Sequence, residues 1–308
     1  MQVHYDLDRL PVFRKAVVTI GTFDGVHKGH QQIIAALRAE AARIGGESVV
    51  ISFEPHPRKI VQPDVSLELI TTLGEKEALL AAHGIDHLVI VPFTPGFAAQ
   101  DAEAYVSEFL VGRFQPHTLI IGYDHRFGKQ RSGGYELLED LQPRFGYQLI
   151  EIPKHVVRAL SISSTKIRES LKQSDVATAN ELLGYDFFFE GTVIHGDKLG
   201  RSIGYPTANL QYTDADKIRL GEGVFAVRYQ LGNRSGGGML SIGKRPTLND
   251  TIERVEVNLF DFDEEIYGAT LRLDVLAFLR QQEKYGSLEA LKAQLHQDKL
   301  DSLRILGL

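Results

Sequence analysis

Unbroken apolar runs alternate with helical periodicity in the first half of the chain. Residues 16–20, 49–53, 87–93 and 118–122 are short β-branched or apolar runs suited to strands buried on both faces of a sheet. Between them, residues 31–44 place Ile33, Ile34, Leu37 and Ala41 at helical spacing and stop at Gly45-Gly46. Residues 72–81 read as a helix with Leu79 and Leu80 facing the core, and residues 102–114 as another. Residues 1–15 read as a lead-in. Strands alternating with helices predict a doubly wound parallel α/β sheet. A short helix over 175–183 ends at Gly184, and the pattern then changes. Residues 187–194, 223–229, 239–242, 255–260 and 270–277 read as strands separated by Gly, Asn and Asp turns, with 233–238 as a hairpin loop. Closely spaced strands of this kind predict an antiparallel barrel or sandwich. A helix from Leu288, with Leu291 and Leu295 at helical spacing, is expected to pack against it. The expected domains are therefore 1–184 and 185–308.

The length of 308 residues supports two such domains. A net charge of −6 argues against a nucleic-acid binder, which would show a basic face. Any anionic substrate must then be held by local loops. The N-terminal residues show no leader pattern, no run approaches a membrane span, and cysteine is absent. A soluble cytoplasmic protein, without nucleic-acid or membrane partners, is the expectation; the residues define no oligomeric state.

The densest chemistry follows the first strand, in Gly21-Thr22-Phe23-Asp24-Gly25-Val26-His27-Lys28-Gly29-His30. Glycines there let the backbone approach a ligand, and the helix that follows would aim first-turn amides at an anion. His27 and His30, three apart, are placed to donate to phosphate oxygens. A surface turn or a zinc pair is the plainer alternative, but no third ligand stands beside them. The stiff loop Pro55-His56-Pro57 follows the second strand. After the fourth comes 122–134, with His125, Arg126, Lys129 and Arg131 among glycines. Asp124 is placed to hydrogen-bond a sugar or base and Phe127 to stack on one; a solvated polar turn is the alternative. Ser163, Ser164 and Thr165 stand at a second helix entrance, followed by Lys166 and Arg168. Capping explains the hydroxyls alone, but the set together suits a polyphosphate or a departing pyrophosphate.

In the second domain the informative segment runs from Gly196 through Gly200, Arg201 and Gly204 to Pro206-Thr207-Ala208-Asn209. It is superficially similar to a Walker A loop, but the spacing is short and the closing Gly-Lys-Ser/Thr is missing. Thr207 and Asn209, two apart on extended chain, present hard oxygens on one face and suit a Mg²⁺ held by nucleotide phosphates. An Asx or Ser/Thr turn is the alternative. Glu256 alternates with Val255 and Val257, so it leaves the core on the opposite face. A solvated strand residue is the plain reading; an alcohol to be phosphorylated would require a base there.

These motifs, in this order, resemble the bacterial bifunctional riboflavin kinase/FAD synthetase family over essentially the whole chain. The carriers are residues 21–30, Phe53-Glu54-Pro55-His56-Pro57, residues 162–168, residues 200–209, and Val255-Glu256-Val257 followed by Tyr267-Gly268. The resemblance implies a Rossmann-like nucleotidyltransferase domain followed by a six-stranded antiparallel β-barrel kinase domain with a C-terminal helix, both using Mg²⁺. It implies phosphorylation of riboflavin by ATP to FMN, then adenylylation of FMN by ATP to FAD and pyrophosphate. Under it, His27, His30, Ser164, Thr165, Arg168 and Glu256 are catalytic, and Thr207 and Asn209 hold the metal. Gly21, Thr22, Phe23, Asp24, Gly29, Asp124, Phe127, Lys166, Gly196, Gly200, Arg201 and Gly204 line the nucleotide and flavin sites. Two departures stand out: His125 where the family usually has Phe, and Ser241 where Asn is common. A single-activity adenylyltransferase, or a flavin-binding regulator, is the rival reading.

Overall fold

The β-branched runs end up where a parallel sheet requires them. A computed structural model describes residues 1–122, 125–152, 163–196, 199–244 and 253–308, so Asp124 and Ile162 lie outside the described residues. Contacts divide the chain into two units, Met1–Ser164 and Thr165–Leu308.

In the first unit, β1 (Gln2–His4), β2 (Val17–Ile20), β3 (Ser48–Glu54), β4 (His87–Pro92), β5 (Thr118–Gly122) and β6 (Gln148–Ile152) form one parallel sheet in the order β1-β4-β3-β2-β5-β6. Successive strand residues feed opposite faces. Val18, Ile20, Val49 and Ile51 pack with Tyr105, Phe109 and Leu138, while Val17, Val50 and Leu88 pack with Ile34 and Leu37 of α1 (Lys28–Ile44) and Leu80 of α2 (Leu73–Ala82). Both faces are thus covered, as the unbroken apolar runs required. Strand order reverses between β2 and β5, and α/β sheets keep their ligands in the crevice beyond such strand ends.

Three expectations need correction. The lead-in contains β1, an edge strand whose Gln2, Val3 and His4 pair with His87, Leu88 and Val89. The helix over 102–114 is interrupted by a π-helical stretch, Tyr105–Val111, whose wider turn buries Tyr105, Val106, Phe109 and Leu110 together. A further helix, α3 (Tyr135–Phe145), and edge strand β6 complete the sheet; Pro143 in the one and polar residues in the other mask their patterns.

In the second unit, α4 (Ser164–Lys172) and α5 (Val176–Leu183) precede a closed barrel. Its strands are β7 (Phe187–Ile194), β8 (Ala208–Tyr212), β9 (Gly223–Leu231), β10 (Arg234–Lys244), β11 (Glu253–Leu259) and β12 (Thr270–Arg280), in the order β10-β11-β8-β7-β12-β9. Every pairing is antiparallel. Of residues 233–238, read as a hairpin loop, 234–238 are instead strand: a Cβ on Gly236 would meet the Tyr229 ring at 2.7 Å, and one on Gly238 the Asn258 carbonyl at 2.7 Å. The terminal helix α6 (Leu288–Leu306) packs on β9, β10 and β12, held by Arg280, whose guanidinium donates to the buried Asp298 carboxylate at 2.7 Å.

Candidate active sites

The loop leaving β2 is short, buried and held in unfavourable backbone conformations. Phe23 (φ 48°), Gly25 (φ 83°) and Val26 (φ 36°) all lie at positive φ, which for a β-branched valine is an outlier that the surroundings must enforce. The enforcement is visible. Asp24 Oδ1 accepts from the Ile70 and Thr71 amides at 2.9 and 3.1 Å, Gly25 N–H donates to Thr71 Oγ1 at 3.0 Å, and Gln31 Nε2 donates to the Val26 carbonyl at 2.9 Å. Ser164 Oγ donates to the Asp24 carbonyl at 3.2 Å.

These contacts present the two histidines. His27 caps α1: its Nδ1 accepts from the His30 amide at 3.3 Å, so a neutral His27 carries its ring proton on Nε2. The imidazoles stack, 3.7 Å between centroids and 13° between planes, with the Phe23 ring 5.0 Å from His30. A Cβ on Gly29 would press the His27 ring at 3.2 Å, which is why glycine separates the pair. Burial, then His27, then Lys76 hold the His30 imidazole well below its ordinary range, and its Nδ1 is buried without a hydrogen-bond partner among the described residues. A neutral, desolvated imidazole at a helix N-terminus suits hydrogen bonding to a phosphate better than proton storage.

Not every anticipated residue faces this site. Asp24 is 2% exposed and its carboxylate shapes the loop; Phe23 belongs to the core beneath it. Phe127 is buried, stacked on Tyr105 at 4.9 Å and backed by Gly133, so packing accounts for its ring. His56 caps the short helix Pro57–Val61, accepting from the Arg58 amide at 3.1 Å. Gly21 and Thr22 lie half-buried at the end of β2. Thr165 and Lys166 are exposed and Arg168 half-buried on the first two turns of α4.

The second site lies on the outer face of the barrel. Val255 and Val257 are buried inside, and Glu256 projects outward between Ser241 on β10 and Asn209 on β8, its direct cross-strand partners. Paired residues project to one side, so the three form a row across three strands. The preceding segment wraps onto this row. Leu199–Ser202 makes a helical turn, Tyr205 N–H donates to the Gly200 carbonyl at 2.9 Å, and Gly204 (φ 86°) reverses the chain into β8. Arg201, on that turn, is exposed. A Cβ on Gly196 would collide with the Asn209 carboxamide, and one on Gly200 with the Tyr205 carbonyl; from Gly200 it would also stand 3.5 Å from Thr207 Oγ1. A side chain at 200 would meet fixed backbone, whereas one at 196 would displace the Asn209 carboxamide. Two residues that sequence reasoning passed over support the row. Asn258, two beyond Glu256 and so on the same face, donates to the Pro206 carbonyl at 2.6 Å; Gln282 donates to Ser241 Oγ at 2.7 Å.

Comparison with known proteins matches both units. The family model described as FAD synthetase covers residues 11–166, and that described as riboflavin kinase covers 183–306. A bifunctional riboflavin kinase/FMN adenylyltransferase of Escherichia coli K12 is 35% identical over 95% of this chain and 93% of its own. The Bacillus subtilis protein of the same name is 34% identical over 94% and 92%. A crystal structure from Streptococcus pneumoniae, described as a macrolide-efflux protein, superposes with a TM-score of 0.87 at 30% identity, covering 98% of both chains. Among the described residues here, no helix is long and apolar enough to cross a membrane. The two matched domains, in this order and over this length, place the chain in the family of bifunctional riboflavin kinases/FMN adenylyltransferases.

Proposed function

We propose that the histidine pair and the Glu256 row are the chemical centres of the two reactions of this family. The chain is a riboflavin kinase and an FMN adenylyltransferase; the proposal concerns which residues do the work. The adenylyl transfer belongs to the domain up to about residue 184 and the kinase to the remainder, in keeping with a riboflavin kinase match that begins at 183. A cytoplasmic location belongs to the same reading.

In adenylylation the nucleophile is the FMN phosphate, largely dianionic at neutral pH because its second pKa is about 6, so no general base is needed. The requirement is for donors aimed where charge builds on the α-phosphorus and on the departing pyrophosphate. His27 and His30 meet the first need, with first-turn amides of α1 beside them. Ser164, Thr165, Lys166 and Arg168 meet the second, Ser164 already being fixed to the loop through the Asp24 carbonyl.

In phosphorylation the nucleophile is the ribityl hydroxyl, and Glu256 takes its proton as the new O–P bond forms and ADP leaves. Thr207 and Asn209 offer hard oxygens on a segment that Gly196 and Gly200 approach closely. Such a pair fits Mg²⁺, which binds through few protein ligands and the substrate phosphates. When bound, the ion would neutralise phosphate charge. Gly196, Gly200, Arg201 and Gly204 form the loop over the phosphates.

The observation that carries this reading is that each matched domain holds its chemical residues together: the stacked pair at one strand end, and Asn209 and Glu256 in register on adjacent strands. The test is a reciprocal pair of variants. His30→Ala should abolish FAD formation and spare FMN formation from riboflavin; Asn209→Ala should do the reverse when FMN is supplied. Either variant losing both activities while folded would refute the two-centre assignment.

A further inference from the structure

Beneath the histidine pair lies a cation that the reactions above do not use. Lys76 sits on the second turn of α2 and is 5% exposed. Burying an ammonium costs several kcal/mol unless its surroundings compensate, and a positive charge near a helix N-terminus opposes the helix dipole. Helix stability therefore does not explain a lysine there. Its surroundings do. Lys76 Nζ donates to Ser52 Oγ at 3.3 Å, and Ser52 Oγ donates to the Thr22 carbonyl at 3.2 Å, joining α2, β3 and the glycine loop in one chain of hydrogen bonds. The same N-terminal end of the helix is docked on that loop a second time: the amides of Ile70 and Thr71, just before the Thr72 cap, donate to Asp24.

We propose that Lys76 is a positioning residue for FMN adenylylation: a buried cation that braces the glycine loop, and with it the histidine pair, through Ser52. The inference rests on the assignment of that pair to adenylyl transfer. The charged groups facing Lys76 are Asp24 on the loop, Glu54 at the end of β3 and Glu77 on its own helix; those facing His30 are His27 and Lys76. Burial pulls the ammonium below its ordinary range, and the three carboxylates oppose that pull. After burial and His27, Lys76 also disfavours a proton on the His30 ring. A neutral His30 still carries one ring N–H with which to donate to the α-phosphate.

The test uses the full-length protein with Lys76→Met and Lys76→Arg. FAD formation from FMN and ATP is measured against pH, and FMN formation from riboflavin is measured on the same preparations. Lys76→Met should lower FAD formation by about a hundredfold, the scale of a misplaced catalytic group, and leave FMN formation unchanged. Its acid limb should move toward higher pH as His30 regains a proton more easily; Lys76→Arg should restore the limb. Histidine NMR, with His30 assigned from a His30→Gln variant, reads the same quantity directly. In the unmodified protein His30 should remain neutral well below pH 6.5, and in Lys76→Met it should titrate closer to that value. A His30 that is already protonated near neutrality in the unmodified protein overturns the inference without any variant. So does Lys76→Met with unchanged FAD formation, or with a loss that leaves the acid limb and the His30 titration where they were. If His30→Ala itself forms FAD normally, the assignment of the pair fails first.

Discussion

The two proposed centres are built on opposite designs. At the strand end of the sheet, a loop is forced into positive-φ backbone and buried, and its histidines are presented by contacts from α2, α1 and Ser164. On the barrel, Ser241, Glu256 and Asn209 stand on three paired strands whose hydrogen-bond ladder fixes their spacing with no strained residue among them. Under the proposed assignment, the difference follows from the nucleophiles. A phosphate dianion needs only a desolvated, preorganised cradle, and desolvation requires burial. A hydroxyl needs a base, the role proposed for the outward-facing Glu256. Among the described residues of the two proposed centres, non-glycine residues at positive φ stand in the loop after β2, at Phe23 and Val26.

The sharpest break in this comparison is Glu256→Gln, which keeps the shape and removes the base. It should lower FMN formation about 10³-fold while FAD formation from supplied FMN persists; coupled assays of the two products decide it. Next comes Gly196→Ala, whose methyl group would displace the Asn209 carboxamide. A loss of about tenfold in kinase turnover is expected, with KM for ATP rising if the displaced residue serves the nucleotide. Asp24→Ala should act through folding instead, removing the oxygen that accepts from the Ile70 and Thr71 amides at a cost of about 2 kcal/mol. Thermal unfolding would then lower the first transition, and barrel unfolding would be untouched. The smallest effect is on pH dependence. His30 has a depressed pKa in the folded state, so its contribution to stability is complete above the unfolded value of 6.5 and is lost as pH falls below it. Stability measured between pH 7 and 5.5 should therefore fall less steeply in His30→Gln than in the parent protein.

Much of this was legible because each motif lies where a periodic pattern stops. The unbroken apolar runs gave the parallel sheet, and the glycine loop stood at the end of the first of them. Glu256 was readable from its alternation with Val255 and Val257. What was hidden depends on tertiary neighbours. The helix over 72–81 reads as one with Leu79 and Leu80 facing the core, yet Glu75 serves the capping box and Lys76 is buried against Ser52. Asp24 looks like a ligand group until the Ile70 and Thr71 amides, 46 and 47 residues away, are seen to consume its oxygen. Strand β8 has only five residues with weak alternation, and its pairing with β7 and β11 makes it a strand.

The glycines of β10 carry one more consequence. Gly236, Gly237 and Gly238 contribute no side chains to the barrel wall, and a Cβ on Gly237 would meet Leu306 and Leu308 at 2.7 and 2.8 Å. The end of α6 therefore shields backbone that side chains would otherwise cover, and glycine backbone is costly to order. Amide hydrogens along this stretch should exchange in step with fraying of the terminal helix, ahead of the remaining ladder. Local opening of the barrel wall is in this way coupled to the last turn of the chain.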